Sequence, residues 1–151
     1  MSHAIPDGYP TPMPYLTVDE AAKAIEFYKA VFNATESMRL TDAGGKVAHA
    51  ELTIGRSPLM LADEYAEMGC TTPQKLGGSP VTLMLYVEDV DACFERAIAA
   101  GATAIRPIED QFYGDRTGTL SDPFGHVWMV ASHVEDVAPD EVERRFKTYM
   151  G

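Results

Sequence analysis

The clearest periodicity in the chain lies between Val47 and Ile54, where Ala50, Leu52 and Ile54 alternate with His49, Glu51 and Thr53. Period-two alternation predicts a strand with one apolar and one polar face. Before it, the pattern predicts a strand over 13–18, in which Pro14 marks an edge or a bulge. A helix from Glu20 to about Phe32 follows, with Asp19 as its cap and Ala22, Ile25, Phe27–Tyr28 and Val31–Phe32 as its apolar stripe. Residues 35–40 predict a second strand, turned at 42–45, and Pro58 to Asp63 a closing one. Residues 64–80 read as a long polar loop.

The second half repeats this order. Val81 to Val87 predicts a strand, Asp89 or Asp91 caps a helix running to Ala100, and Gly101 ends it. A strand over 103–107, a loop over 108–116 and a strand over 117–121 follow, the last with Thr117, Thr119 and Ser121 on one face. Ser121–Asp122–Pro123–Phe124–Gly125–His126 predicts a tight turn, with Gly125 supplying a positive φ. It leads into an apolar strand over 127–131 in which Trp128 packs under a helix. His126, directly after the turn, reads as a structural hydrogen-bonder. Pro139, with acidic residues ahead of Arg144, Arg145 and Lys147, predicts a short terminal helix.

The two halves align. Val18 to Glu26 matches Val87 to Glu95 at an offset of 69, and Asn33–Ala34–Thr35 matches Gly101–Ala102–Thr103 at 68. At that same offset of 68, Leu59 to Ala62 falls on Val127 to Val130. The chain therefore reads as an α+β protein built from tandem βαβββ modules. The expected organisation is a flexible lead-in (1–11), a first module (12–66), a connecting loop (67–80), a second module (81–132) and a tail with a short helix (133–151), forming one compact domain overall.

Composition narrows the function classes. A formal net charge of −11 argues against nucleic acid as a partner, since phosphate binding wants clustered Lys and Arg. No apolar run approaches the roughly 20 residues that span a bilayer, and the first residues lack the basic start and apolar segment of a signal peptide. Cys70 and Cys93 sit in unlike settings and suggest no disulfide framework, so a reducing cytoplasm is the expected location.

Ala-Ile-Glu-Phe-Tyr (24–28), His-Ala-Glu-Leu (49–52), Leu-Met-Leu-Ala-Asp (59–63) and Asp-Pro-Phe-Gly-His (122–126), set in a duplicated βαβββ frame, resemble the vicinal oxygen chelate superfamily. That group comprises glyoxalase I, extradiol dioxygenases and the bleomycin- and fosfomycin-resistance proteins. Gln-Phe-Tyr-Gly-Asp-Arg (111–116) and His-Val-Glu-Asp-Val (133–137) resemble its PhnB-like branch. The resemblance implies a cupped mixed sheet around a ligand cavity, and a homodimer. It also implies four metal-ligand positions, which strand and turn landmarks place on Met13, Leu61, Thr82 and Met129. None is a usual ligand and three are apolar, so no metal cofactor is expected at that standard site, while a divalent metal elsewhere stays open.

Strand parity then nominates the residues facing the cavity. His49 and Glu51 are the candidate catalytic pair, able to bind a ligand, share a proton or hold an unorthodox metal; the alternative is a polar patch on a solvated strand face. Tyr15, Leu61, Asp63, Tyr86 and Met129 are the candidate wall. Phe112 and Tyr113, beside Asp115 and Arg116, suggest a lid or anion clamp, or else a local salt bridge. Three function classes follow: a metal-free small-molecule binding protein, an enzyme (lyase, isomerase or dioxygenase) using His49 and Glu51, or a structural or regulatory dimer with a vestigial cavity. The first is the preferred reading.

Overall fold

The computed structural model describes residues 2–151; Met1, the first residue of the expected lead-in, lies outside the described residues. The chain divides into two compact units, with the boundary between Gly78 and Ser79 inside the expected connecting loop.

The first unit contains β1 (Tyr15–Val18), α1 (Ala21–Phe32), β2 (Thr35–Thr41), β3 (Val47–Ile54) and β4 (Ser57–Asp63). Its connector carries a 3-10 turn at Ala66–Met68 and a short helix, α2 (Pro73–Leu76), where an unbroken loop was expected. The second unit contains β5 (Thr82–Tyr86), α3 (Val90–Ala99), β6 (Thr103–Asp110), β7 (Asp115–Ser121), β8 (Val127–His133) and α4 (Pro139–Met150). Each unit builds its own four-stranded sheet, in the orders β1-β4-β3-β2 and β5-β8-β7-β6. In both, the outer first strand runs parallel to the last and the other pairings are antiparallel. Identical order in both sheets is the three-dimensional trace of the repeat.

One face of each sheet is closed by a helix. Ile25 and Tyr28 of α1 are fully buried, as are Val18, Ala50, Leu52 and Leu61 from the strands below. Burying each large side chain of this set contributes roughly 1.5–3 kcal/mol. α1 starts one residue later than predicted and Asp19 does not cap it. Glu20 takes the left-handed conformation (φ 61°) at the helix start, and the Ala21 N–H donates instead to Oδ1 of Asp63, 2.8 Å away. The Asp63 carboxylate also accepts from the Val47 N–H at 2.7 Å, joining helix, β3 and β4. In the second unit Asp89, one of the two expected candidates, caps α3, accepting from the Ala92 N–H at 3.1 Å.

Asp122 explains the 121–126 turn. Oδ1 accepts from the N–H groups of Phe124 (2.9 Å) and His126 (3.0 Å), and Oδ2 accepts from the buried Trp128 indole at 2.9 Å. This turn also corrects the repeat alignment. β3 corresponds to β7 at an offset of 68, because Ala50 faces Leu61 as Gly118 faces Val130. Those same pairs put β4 on β8 at 69. With the Asp122 N–H donating to the His126 carbonyl as the last rung, the β7–β8 turn holds three residues (123–125), one more than Gly55–Arg56 between β3 and β4. Met60, not Leu61, is therefore the counterpart of Met129, and a one-residue slip reverses which face a side chain takes.

Candidate functional site

On the face of the first sheet opposite α1, Tyr15, Met60, Glu51 and Met38 lie side by side across the four strands. In this row Glu51 stands where the second unit has Thr119 between Met129 and Arg106. Strand parity puts His49 on the same face, two residues from Glu51. The pair joins a continuous chain of hydrogen bonds. The Tyr9 hydroxyl donates to Oε1 of Glu51 at 2.5 Å, Oε2 of Glu51 is 2.7 Å from Nε2 of His49, and Nδ1 of His49 is 2.8 Å from the Tyr15 hydroxyl. The Tyr15 and His49 rings lie 5.5 Å apart, tilted at 45°.

Glu51 is buried, yet fully bonded, which is the condition under which a carboxylate can be withdrawn from water. The Tyr9 hydrogen bond, followed by that of His49, holds its carboxyl below the usual carboxylate range, so it stays ionised. Glu51 in turn raises the Tyr9 phenol. Tyr15 is also raised, first by burial and then by the negative potential of Cys70 and Glu51. Tyr15, Met38 and Leu40 remain open to solvent on this face (52%, 43% and 56% exposed), giving apolar ground around a polar centre.

The remaining candidates fall on both sides of their sheets. Leu61 and Asp63 belong to the helix-covered side: Leu61 is core and Asp63 is occupied with the α1 and β3 backbones, so neither shares the face of His49. The cause is the turn-length difference that misplaced the register. Met129 is on the open face of the second sheet, beside Met84 and Thr119. Arg116 lies on the other side of that sheet from Asp115. It is held by Asp91 of α3 at 2.9 Å and by Asp110 at 3.1 Å, the local salt bridge that is one of its two expected alternatives. Phe112 is not a free lid residue. It meets Tyr113 edge-on at 5.2 Å and packs on Phe146 and Tyr149 of α4, while its carbonyl accepts from Arg145.

A second polar chain was not visible in the sequence. Tyr86 donates to Oδ2 of buried Asp115 at 2.6 Å, Oδ1 of Asp115 is 2.8 Å from Nδ1 of His133, and Nε2 of His133 is 2.7 Å from Asp136. Its members are spread over 51 positions of sequence, and Asp115 reads there as part of a loop. The available signal was the pairing of the 111–116 and 133–137 motifs, which the structure ties together through the Val134 and Glu135 N–H groups and the Gly114 carbonyl.

A model of the glyoxalase/bleomycin resistance protein/dioxygenase superfamily matches residues 9–130. The chain belongs to that superfamily. An uncharacterized protein of Mycobacterium tuberculosis (strain ATCC 25618 / H37Rv) is 46% identical over 137 residues, covering 89% of this chain and 81% of that one. An uncharacterized protein of Arabidopsis thaliana is 31% identical over 115 residues, covering 72% and 69%. Among solved structures, TioX of Micromonospora sp. ML1 has a TM-score of 0.62 at 26% identity, covering 83% of this chain and all of that one. The PhnB protein of Bacillus cereus has a TM-score of 0.65 at 20% identity, covering 82% and 99%, a likeness of fold.

The ligand positions that the resemblance implies fall, once the register is corrected, on Met13 and Met60 in the first unit and on Thr82 and Met129 in the second. Thioethers and a hydroxyl do not fit a Zn, Ni, Mn or Fe ion, which prefers imidazole and carboxylate donors. Among the described residues no three His, Cys, Asp or Glu side chains converge as a metal cage. Nor is any described helix long and apolar enough to cross a membrane.

Proposed function

We propose that the protein is a PhnB-like member of the superfamily that binds a small molecule on the open face of its first sheet, with no metal at the superfamily's usual positions. The observation that carries this reading is the Tyr9–Glu51–His49–Tyr15 chain. A buried ionised carboxylate and an imidazole are assembled on a face that no helix of the unit covers, amid exposed apolar side chains. A sheet face with only a packing role gains nothing from a buried charge, whereas a carboxylate and an imidazole held in place by their own hydrogen bonds are already oriented for a ligand. A thermal-shift screen of metabolites and cationic drugs is the first test, because a ligand of the folded state raises the melting temperature by mass action. A hit whose affinity is unchanged by Glu51→Gln overturns the site assignment. Metal analysis of purified protein is expected to find clearly less than one equivalent of Zn, Ni, Mn or Fe.

A second reading, acid–base catalysis without metal, is favoured by the order of the chain. A half-exposed hydroxyl, an imidazole and a buried carboxylate stand in line, so a proton taken up at Tyr15 can be balanced by one passed to His49 while Glu51 stabilises the imidazolium. Turnover of a bound metabolite that is lost in His49→Gln distinguishes this reading from binding alone.

We further infer a homodimer in a reducing cytoplasm. Exposed Met84 and Tyr86 offer apolar area for a symmetric interface, on the order of 2,000 Å² for an obligate pair. Cys70 and Cys93 are free thiols. A light-scattering mass of 16.5 kDa, unchanged on dilution, overturns the dimer.

A further inference from the structure

The directions of the hydrogen bonds around Glu51 determine what kind of ligand this face can hold. An ionised carboxylate only accepts. The Tyr9 hydroxyl therefore spends its hydrogen on Oε1, and Nε2 of His49 must carry the hydrogen that meets Oε2. With the imidazole neutral, Nδ1 is then a bare acceptor, and the Tyr15 hydroxyl spends its hydrogen there. Both phenol oxygens are left with lone pairs alone, backed by one negative charge. At the centre of the face, the two phenols therefore present acceptors and no free donor.

Nearby cations do not reverse this polarity. Lys29 and Arg39 lie on the α1 side of the sheet and are held by Glu36, Lys75 is held by Glu64, and Lys46 donates to the Glu64 carbonyl and sits over the Tyr65 ring. The chain as a whole carries a net charge of −11. A carboxylate or phosphate ligand would meet lone pairs and negative potential. An ammonium group would meet two acceptors, an aromatic ring at Tyr15 and the thioethers of Met38 and Met60 on the same row.

From this polarity we infer that the open face of the first sheet selects a cationic hydrogen-bond donor, a primary or secondary ammonium on an apolar body, received at the phenol oxygens that Tyr9 and Tyr15 present as acceptors. The inference rests on the small-molecule reading given above and adds the ligand's chemical class. It differs from a general attraction of an acidic protein for cations, because it depends on two uncharged oxygens and on the tautomer of His49.

The test uses the full-length protein at about pH 8, above the ordinary histidine range. Proton–nitrogen NMR of the histidine rings reports which nitrogen of His49 bears hydrogen, and Nε2 is expected. Titration then compares benzylammonium with benzoate, probes of the same size and opposite polarity. Benzylammonium is expected to bind roughly tenfold or more tighter, the ratio expected for one charge-assisted hydrogen bond. Tyr9→Phe and Tyr15→Phe keep the rings and the net charge, and each is expected to erase most of that preference. A hydrogen on Nδ1, equal or better binding of benzoate at this face, or a preference that survives both phenylalanine variants overturns the inference while leaving small-molecule binding intact. If neither probe perturbs the face at millimolar concentration while another molecule from the thermal-shift screen binds there, the inference falls alone. If nothing binds there, the small-molecule reading falls with it.

Discussion

Nε2 of His49 stands 2.7 Å from Oε2 of Glu51, two residues further along the same strand and on the face that α1 does not cover. Adjacent same-face positions on a strand are the shortest route to such contact, and Tyr9 and Tyr15 extend it at both ends. The pair has measurable consequences even before a ligand is known.

Because its bonds to Tyr9 and His49 depress the Glu51 carboxyl below its ordinary value of 4.5, the folded state binds that proton less readily than the unfolded chain. The stabilisation is present above 4.5 and disappears as pH falls through the lower folded value. Glu51→Gln, which cannot titrate, is expected to melt below the wild type near neutral pH, by an amount on the order of 1 kcal/mol. The difference between the two should narrow as pH falls below 4.5, as followed by circular dichroism melts. A constant difference across that range contradicts the bonded, ionised state of Glu51.

His133 has the opposite sign. Asp115 and then Asp136 raise its pKa above the ordinary 6.5, so its contribution is complete below 6.5 and is lost as pH rises through the folded value. His133→Gln is therefore expected to cost most in mildly acidic buffer and least in alkaline buffer. Melting temperatures of both proteins across neutral pH check this, and a gap that widens with pH contradicts it.

Asp63→Ala leaves the Ala21 and Val47 N–H groups without their acceptor in a buried setting. Each orphaned donor costs about 1–3 kcal/mol, so the denaturant midpoint should drop substantially. Since Asp63 lies on the helix side, ligand affinity corrected for the folded fraction should be unchanged. A selective loss of ligand binding would place Asp63 in the site after all.

Gly118 packs where a methyl group would sit 2.6 Å from Cδ1 of Ile108 and 2.9 Å from the Phe94 ring. Gly118→Ala is expected to destabilise the protein by about 1–3 kcal/mol through overpacking. Adding Ile108→Val removes the nearest clashing atom and should restore part of the loss. Urea denaturation of the single and double variants measures both effects.

The repeat, the helices and most strands were legible in the sequence because each is governed by local periodicity and turn chemistry. Asp89 caps α3, Asp122 organises the turn before β8, and the alternation from Val47 to Ile54 put His49 and Glu51 on one face. The −11 charge and the superfamily motifs were equally open to reading.

Tertiary structure decided what local patterns do not encode. Asp19 looked like the cap of α1, yet Asp63, 42 residues on from Ala21, holds that position, because a buried carboxylate between helix and sheet satisfies two donors at once. Leu61 and Met60 exchanged faces because one extra residue in the second unit's turn shifts the register, and a strand turns every side chain over on a one-residue slip. The partners of Glu51 and Asp115 were hidden for the same reason. Tyr9 and Tyr15 reach Glu51 and His49 across strands, and Tyr86 and His133 reach Asp115, from positions that only sheet pairing brings together.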